Sequence, residues 1–209
     1  MSKTKVLNLY AGIGGNRKLW DNVDVTAVEC NGDRATVYRD HFPDDTVVET
    51  DAHDYLLNNF RNYHFIWSSP PCPTHSTVRK LEAGENGKND PVYPDMDLYQ
   101  QVLLLEGYFG GDWVVENVNP WYEPLIDAQK VHRHLFWSNF HIPDIELPSD
   151  SIRWEGDNKE KFRQKTGFDL RGYEFENTRK DQTRNNTMNP ELGKHVFDAA
   201  TKNRQATLF

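Results

Sequence analysis

Short apolar runs alternate with amphipathic or polar stretches through the first two-thirds of the chain, and this alternation narrows the folds open to it. Residues 5–10, 23–30, 46–49, 63–69, 113–117 and 135–139 read as strands. Helical patterning fills most of the intervals, at 16–20, 32–41 and 52–60, and most clearly at 95–109 (DMDLYQQVLLLEGYF). Strands that alternate with helices predict an α/β fold: a mostly parallel sheet with helices on both faces. Residues 80–94 are polar and rich in Gly, Asn and Pro, which predicts a mobile loop. Residues 141–184 carry weak periodicity and many charges and read as an irregular insert or a very small subdomain. Asn189 followed by Pro190 starts a further helix, expected to run to about Asn203.

The strand at 5–10 runs into Ala11-Gly12-Ile13-Gly14-Gly15. Glycines at such a turn either close it sterically or let a ligand approach free backbone N–H groups. The next strand ends at Glu29, placed to accept hydrogen bonds from ribose hydroxyls, and the third ends near Asp51, where a carboxylate can meet an adenine amino group. Three strand tips on one crevice point to an adenosine-containing ligand and leave open whether it is a dinucleotide or S-adenosylmethionine.

The fourth strand ends in Ser68-Ser69-Pro70-Pro71-Cys72-Pro73-Thr74-His75-Ser76. Prolines that fix the backbone around a thiol at a strand tip suit a nucleophile, whereas a structural cysteine belongs inside an element, as Cys30 would. The fifth strand ends Val114-Val115-Glu116-Asn117-Val118. A carboxyl there is poorly solvated and able to hold or share a proton, unless it points outward to water. Two cysteines are too few for a disulfide framework, and eight histidines show no ligand spacing, so no metal is expected. With 209 residues, one domain is expected. No stretch is long and apolar enough to span a bilayer, and a signal-peptide core is absent, so a cytoplasmic protein without membrane contact is expected.

Taken in order, these signals resemble the cytosine-C5 DNA methyltransferase family. NLYAGIGG resembles its cofactor loop, PPC its nucleophile turn, ENV its cytosine-binding glutamate, and HRHLFWSN stands in place of its arginine motif. TRNNTMNPELGKHVF more loosely resembles the segment that completes its cofactor pocket. The resemblance implies a Rossmann-like S-adenosylmethionine-dependent methyltransferase fold. It implies S-adenosyl-L-methionine as cofactor, held by Tyr10, Ala11, Gly12, Ile13, Gly14, Gly15, Glu29, Asp51 and Pro71. It implies Cys72, Glu116 and Arg133 as catalytic residues acting on a flipped-out cytosine, and Ser76, Arg79 and His134 as contacts to double-stranded DNA, with His134 an alternative to Arg133 for holding the glutamate or the base. Its large target-recognition domain is reduced here to a short insert. The implied organisation is a catalytic core at 1–140, that insert at 141–183, a completing helix at 184–203 and a flexible tail at 204–209.

A net charge of −8 speaks against a broad basic surface for nucleic acid. Between residues 153 and 184, nine basic residues stand among seven acids with aromatics interleaved, which makes the insert the best candidate for groove contact. The end, Gln205-Ala206-Thr207-Leu208-Phe209, resembles the pentapeptide that binds the bacterial sliding clamp, and such a clamp is an expected partner of a bacterial or phage enzyme. Other readings are cytosine methylation in RNA, a non-catalytic cofactor-binding or clamp-binding module, and a dinucleotide oxidoreductase. The last two leave Cys72 and Glu116 without a task.

Overall fold

The computed structural model describes residues 3–83, 90–148 and 158–207, with side chains given except at 79, 82, 158 and 203–207. The strands are β1 (Thr4–Leu9), β2 (Val23–Val28), β3 (Thr46–Val48), β4 (Phe65–Ser68), β5 (Asp112–Val118), β6 (Gln129–Val131) and β7 (His134–Ser138). The helices are α1 (Gly32–His41), α2 (Ala52–Asn59), α3 (Thr77–Glu82), α4 (Asp97–Tyr108), α5 (Asn158–Thr166), α6 (Lys180–Asn185) and α7 (Pro190–Thr207). All seven strands join one sheet in the order β3-β2-β1-β4-β5-β7-β6. Strands β1 to β5 run parallel, and β7 lies antiparallel between β5 and β6.

Each central strand alternates its side chains between two apolar layers, as the two-residue period requires. Val6, Val25, Phe65, Trp67, Val114 and Phe136 point to one face, where Leu192, Val196, Phe197 and Ala200 of α7 cover them. Leu7, Leu9, Ile66, Val115 and Trp137 point to the other, beneath Leu56 of α2 and Leu98, Val102 and Leu105 of α4. Trp20 stacks on Phe197 at 5.0 Å, which ties the two ends of the chain together. Helix starts follow side-chain capping: Asn31 accepts from Arg34 N at α1, and Asp51 from Asp54 N at α2.

Several expectations need correction. Residues 16–20 form successive turns rather than a helix, because Asn16 is drawn back to Asn8 by a buried side-chain pair at 2.8 Å. Cys30 lies past the end of β2 and is exposed, since β2 stops at Val28 where Glu29 turns toward the glycine loop. The expected loop at 80–94 is entered by α3, and β6 is an added edge strand. Among its described residues the insert holds two short helices, α5 and α6. Phe162, Phe168 and Leu170 pack on Ile13 and Val37, fastening it beside the glycine loop and α1. No helix among the described residues is long and apolar enough to cross a membrane.

Candidate active site

The strand order reverses at β1, whose neighbours are β2 and β4, and a crevice opens at the carboxyl ends of such strands. The glycine loop lines it, but its glycines do different work. Gly12 has φ +56°, and a Cβ there would meet nothing within 4 Å, so its outer side is open to a ligand. Gly14, at φ +85°, would drive a Cβ to 2.3 Å from the Phe42 ring. At Gly15 a Cβ would stand 2.4 Å from Met188 O. These two are required by packing behind the loop. Ala11 and Ile13 turn their side chains into the core, leaving backbone for the crevice. Glu29 is buried; its Oε2 accepts from Gly12 N and its Oε1 from Asn31 N, each at 2.9 Å. The carboxylate therefore clamps the loop to the tip of β2, with lone pairs to spare. Asp51 is exposed at the start of α2.

Tyr10 stands in the left-handed region at φ 54°, a strained position for a non-glycine residue. Its hydroxyl accepts from Gln101 Nε2 at 2.8 Å, and Gln101 Oε1 accepts from Ser68 Oγ at 2.5 Å. His53 Nδ1 lies 3.4 Å from the same amide. Burial raises the Tyr10 phenol well above its ordinary pKa. Gln101, fully buried, thus joins β4 and α4 to the cofactor loop, and it was not foreseen. Its helical register among apolar neighbours was the available signal.

Cys72 follows β4 in a turn fixed from three sides. Ser69 Oγ accepts from Trp67 Nε1 at 2.8 Å, Pro70 O accepts from Asn117 Nδ2 at 2.9 Å, and Cys72 O accepts from His75 N and Ser76 N, each at 3.0 Å. The asparagine of ENV is therefore the strut that holds the proline turn against β5. Burial pushes the Cys72 thiol up, the Glu116 carboxylate pushes it further, and Arg133 opposes both. Burial lowers Arg133, while Glu116 and Cys72 favour its charged form. Three expected residues from β4, β5 and the β6–β7 turn thus share one electrostatic neighbourhood.

Glu116 is buried on β5 opposite Phe136 of β7. Its Oε1 lies 2.6 Å from His134 Nδ1, and His134 Nε2 lies 3.3 Å from Arg133 Nε. His134, expected either to contact DNA or to stand in for Arg133 in holding the glutamate or the base, is buried against the glutamate, because it sits on β7 within the sheet and not on the turn before it. Ser76 is half-buried at the start of α3, where it bridges to Pro120. Pro71 is exposed beside the thiol. The segment after the thiol is tied down by Trp121, which donates from N to His75 O at 3.0 Å and from Nε1 to Thr74 O at 3.2 Å. On the insert, Phe175, Arg179, Lys180 and Arg184 line an open depression that includes none of the crevice residues. The side chains of Arg79 and Gln205, and all of Arg153, Trp154, Leu208 and Phe209, lie outside the described residues.

No curated protein matches this chain. Among solved structures, a hypothetical protein from Thermus thermophilus is similar at 14% identity and TM-score 0.43, over 65% of this chain and 74% of that one. A DNMT2 mutant from Spodoptera frugiperda is 22% identical at TM-score 0.39, over 56% of this chain and 36% of its own. The Entamoeba histolytica methyltransferase EhMeth is 18% identical at TM-score 0.36, over 56% and 39%. The sheet order and both helical layers are those of the Rossmann-like methyltransferase fold expected from sequence, and the open face at Gly12 with Glu29 and Asp51 nearby fits its cofactor, S-adenosylmethionine. Residues 4–102, which hold the glycine loop, both strand-tip acids and the Pro-Pro-Cys turn, match the family model of C-5 cytosine-specific DNA methylases.

Proposed function

We propose that the protein methylates C5 of cytosine in double-stranded DNA through a covalent bond between Cys72 and the base. The observation that carries this reading is that Asn117, next to the buried Glu116 on β5, straps the proline turn bearing Cys72 to that strand, so the thiol and the carboxyl stand on adjacent strand tips. Cytosine C5 is a poor nucleophile. When Sγ adds to C6 and N3 takes a proton from the Glu116 carboxyl, the ring electrons shift toward C5. S-adenosylmethionine, held along Gly12 with Glu29 and Asp51, supplies the methyl group that C5 accepts. Loss of the C5 proton to solvent base and departure of the thiolate restore the ring, and N3 returns its proton to Glu116. A base in a duplex must leave the stack to reach such a site.

The resting site does not favour the reactive form, because burial and an ionised Glu116 both keep the thiol protonated. Net movement of one proton from Cys72 to Glu116 answers both needs at once. It forms the nucleophile, loads the acid and removes the repulsion between them. Arg133 holds the charge of whichever group is ionised.

Expression in a bacterium lacking cytosine methylation, followed by genome-wide mapping, is expected to reveal 5-methylcytosine in a reproducible short context. Cys72→Ala should abolish it. A duplex with 5-fluorocytosine in that context should trap a denaturation-stable adduct with the wild type. A soluble wild-type protein that leaves every cytosine unmodified would sink the reading; modified RNA in the same cells would move the substrate to RNA. The tail carries a separate proposal from sequence: Gln205, Leu208 and Phe209 dock on a bacterial sliding clamp. A chain ending at residue 204 should lose co-elution with purified clamp and keep methylation of naked duplex, and unchanged co-elution refutes the tether.

A further inference from the structure

A guanidinium has no acceptor, so the contact between Arg133 Nε and His134 Nε2 at 3.3 Å is a donation to the imidazole. His134 Nε2 must then present its lone pair. A neutral ring with Nε2 bare carries its hydrogen on Nδ1, and the 2.6 Å contact to Glu116 Oε1 is an N–H donation to the carboxylate. The order is Arg133 to His134 to Glu116, with each group's direction fixed by the one before.

We propose that His134 is a positioning residue for Glu116, acting as a neutral Nδ1–H donor that occupies Oε1 and leaves Oε2 as the oxygen that exchanges the catalytic proton. This rests on the role given to Glu116 above. Arg133, His132 and Lys165 are the basic groups around this contact: Arg133 acts on Lys165, and His134, Arg133 and Lys165 all act on His132. The acidic side is Glu116 itself, with the Cys72 thiol acting on it from the turn after β4. The Phe136 ring packs beside the imidazole, at 6.2 Å between centroids. A second proton on His134 would take the lone pair that Arg133 uses and set two cations in contact. A neutral donor grips the carboxylate without adding a full charge to it, and the charge of Arg133 acts from one group away.

The tautomer is read directly from imidazole nitrogen shifts in labelled wild-type protein at neutral pH. Protonated Nδ1 with bare Nε2, lost in His134→Leu, is the expected result. A proton on Nε2, alone or with Nδ1, overturns the proposal. The role is read from kinetics on a duplex carrying the mapped context. The active pair shares one proton between Cys72 and Glu116, so the acid limb of kcat/KM reports the further protonation of that pair. Removing a donor to the carboxylate raises its proton affinity. His134→Leu should therefore move that limb up by about one pH unit and lower kcat on the order of 100-fold, with KM for S-adenosylmethionine unchanged. His134→Asn, whose amide can donate from near the Nδ1 position, should keep the wild-type limb and recover most of kcat. Equal profiles for the Leu and Asn variants, differing from wild type in scale alone, would refute positioning. A wild type that methylates nothing overturns the functional reading and the role with it, while the tautomer stands or falls by its own measurement.

Discussion

At the residue scale, the thiol and the carboxyl are best understood as one titrating unit. Burial comes first among the causes that raise Cys72, and the charge of Glu116 second. Burial remains when Glu116→Gln removes the charge, so the thiol pKa should fall part of the way toward its ordinary value. A larger thiolate fraction at pH 8 follows, and Cys72 should be alkylated by iodoacetamide several-fold faster. Cys30 serves as the internal reference, because it is exposed and is raised by burial and by Glu29, not by Glu116. Mass-resolved alkylation rates check this, and a slower Cys72 in the variant would contradict the electrostatic account. The same substitution should abolish methylation, so that reactivity toward a small alkylator and catalysis move in opposite directions. Gly15 offers a second test at this scale. A methyl group there meets a main-chain oxygen, which no rotamer change relieves. Gly15→Ala should cost about 1–3 kcal/mol, or roughly 2–12 °C in Tm for a chain of this size. Gly12→Ala, with open space around it, should cost about 1 kcal/mol for its left-handed backbone and show its larger effect in cofactor affinity. Thermal unfolding with and without S-adenosylmethionine separates the two.

At the scale of elements, the strands of the central sheet were legible because both of their faces are buried. Val6 to Leu9 and Phe65 to Ser68 are buried throughout and read as mostly apolar runs for that physical reason. β6 was not legible: it has three residues, of which Val131 alone is buried, so it carries no periodic signal. The site residues on β4 and β5 were visible as chemistry set at strand tips. For His134 the sequence left a DNA contact and a contact to the glutamate both open, because the contact is made across the sheet to β5 and no local spacing encodes a register between strands. Gln101 escaped notice for a similar reason, since a glutamine in a helix normally faces water. Here it holds α4 to both the tip of β4 and the glycine loop. Gln101→Leu leaves the Ser68 hydroxyl, which is fully buried, without its acceptor and releases the Tyr10 hydroxyl. An orphaned buried polar group costs about 1–3 kcal/mol. Denaturant unfolding should show a loss of about that size or more, and calorimetry should show weaker binding of S-adenosylmethionine. Tyr10→Phe removes one of the two bonds and should reproduce a smaller part of both effects. Unaltered cofactor affinity in both variants would mean that the tie supports the sheet and not the loop.

At the scale of the whole molecule, the cofactor loop is held in place by the other end of the chain. α7 contributes Leu192, Val196, Phe197 and Ala200 to the layer over β1 and β4, and its first turn reaches the end of the glycine loop directly. Gly193 lies so close that a Cβ would stand 2.5 Å from Asn16 O, and Gly193 O accepts from Trp20 Nε1 at 3.1 Å. The segment leading into α7 presses Met188 O against Gly15. Helix and loop therefore form a single rigid wall of the crevice, although 173 positions of chain separate Trp20 from Gly193. A chain ending at residue 189 removes that wall. Each large side chain withdrawn from the core forfeits about 1.5–3 kcal/mol, and Trp20 and Phe65 lose their contact with Phe197 as well. The sum is comparable to the whole stability of an ordinary domain, about 5–15 kcal/mol. The truncated chain should show no cooperative thermal transition and no stabilisation by S-adenosylmethionine. A chain ending at residue 202 retains all four core residues of α7 and should melt within about 3 °C of the full chain, the shift that roughly 1 kcal/mol would produce. If the chain ending at residue 189 still melted cooperatively and was still stabilised by S-adenosylmethionine, then the loop would be held from within the first strands alone, and the wall described here would have no part in shaping the crevice.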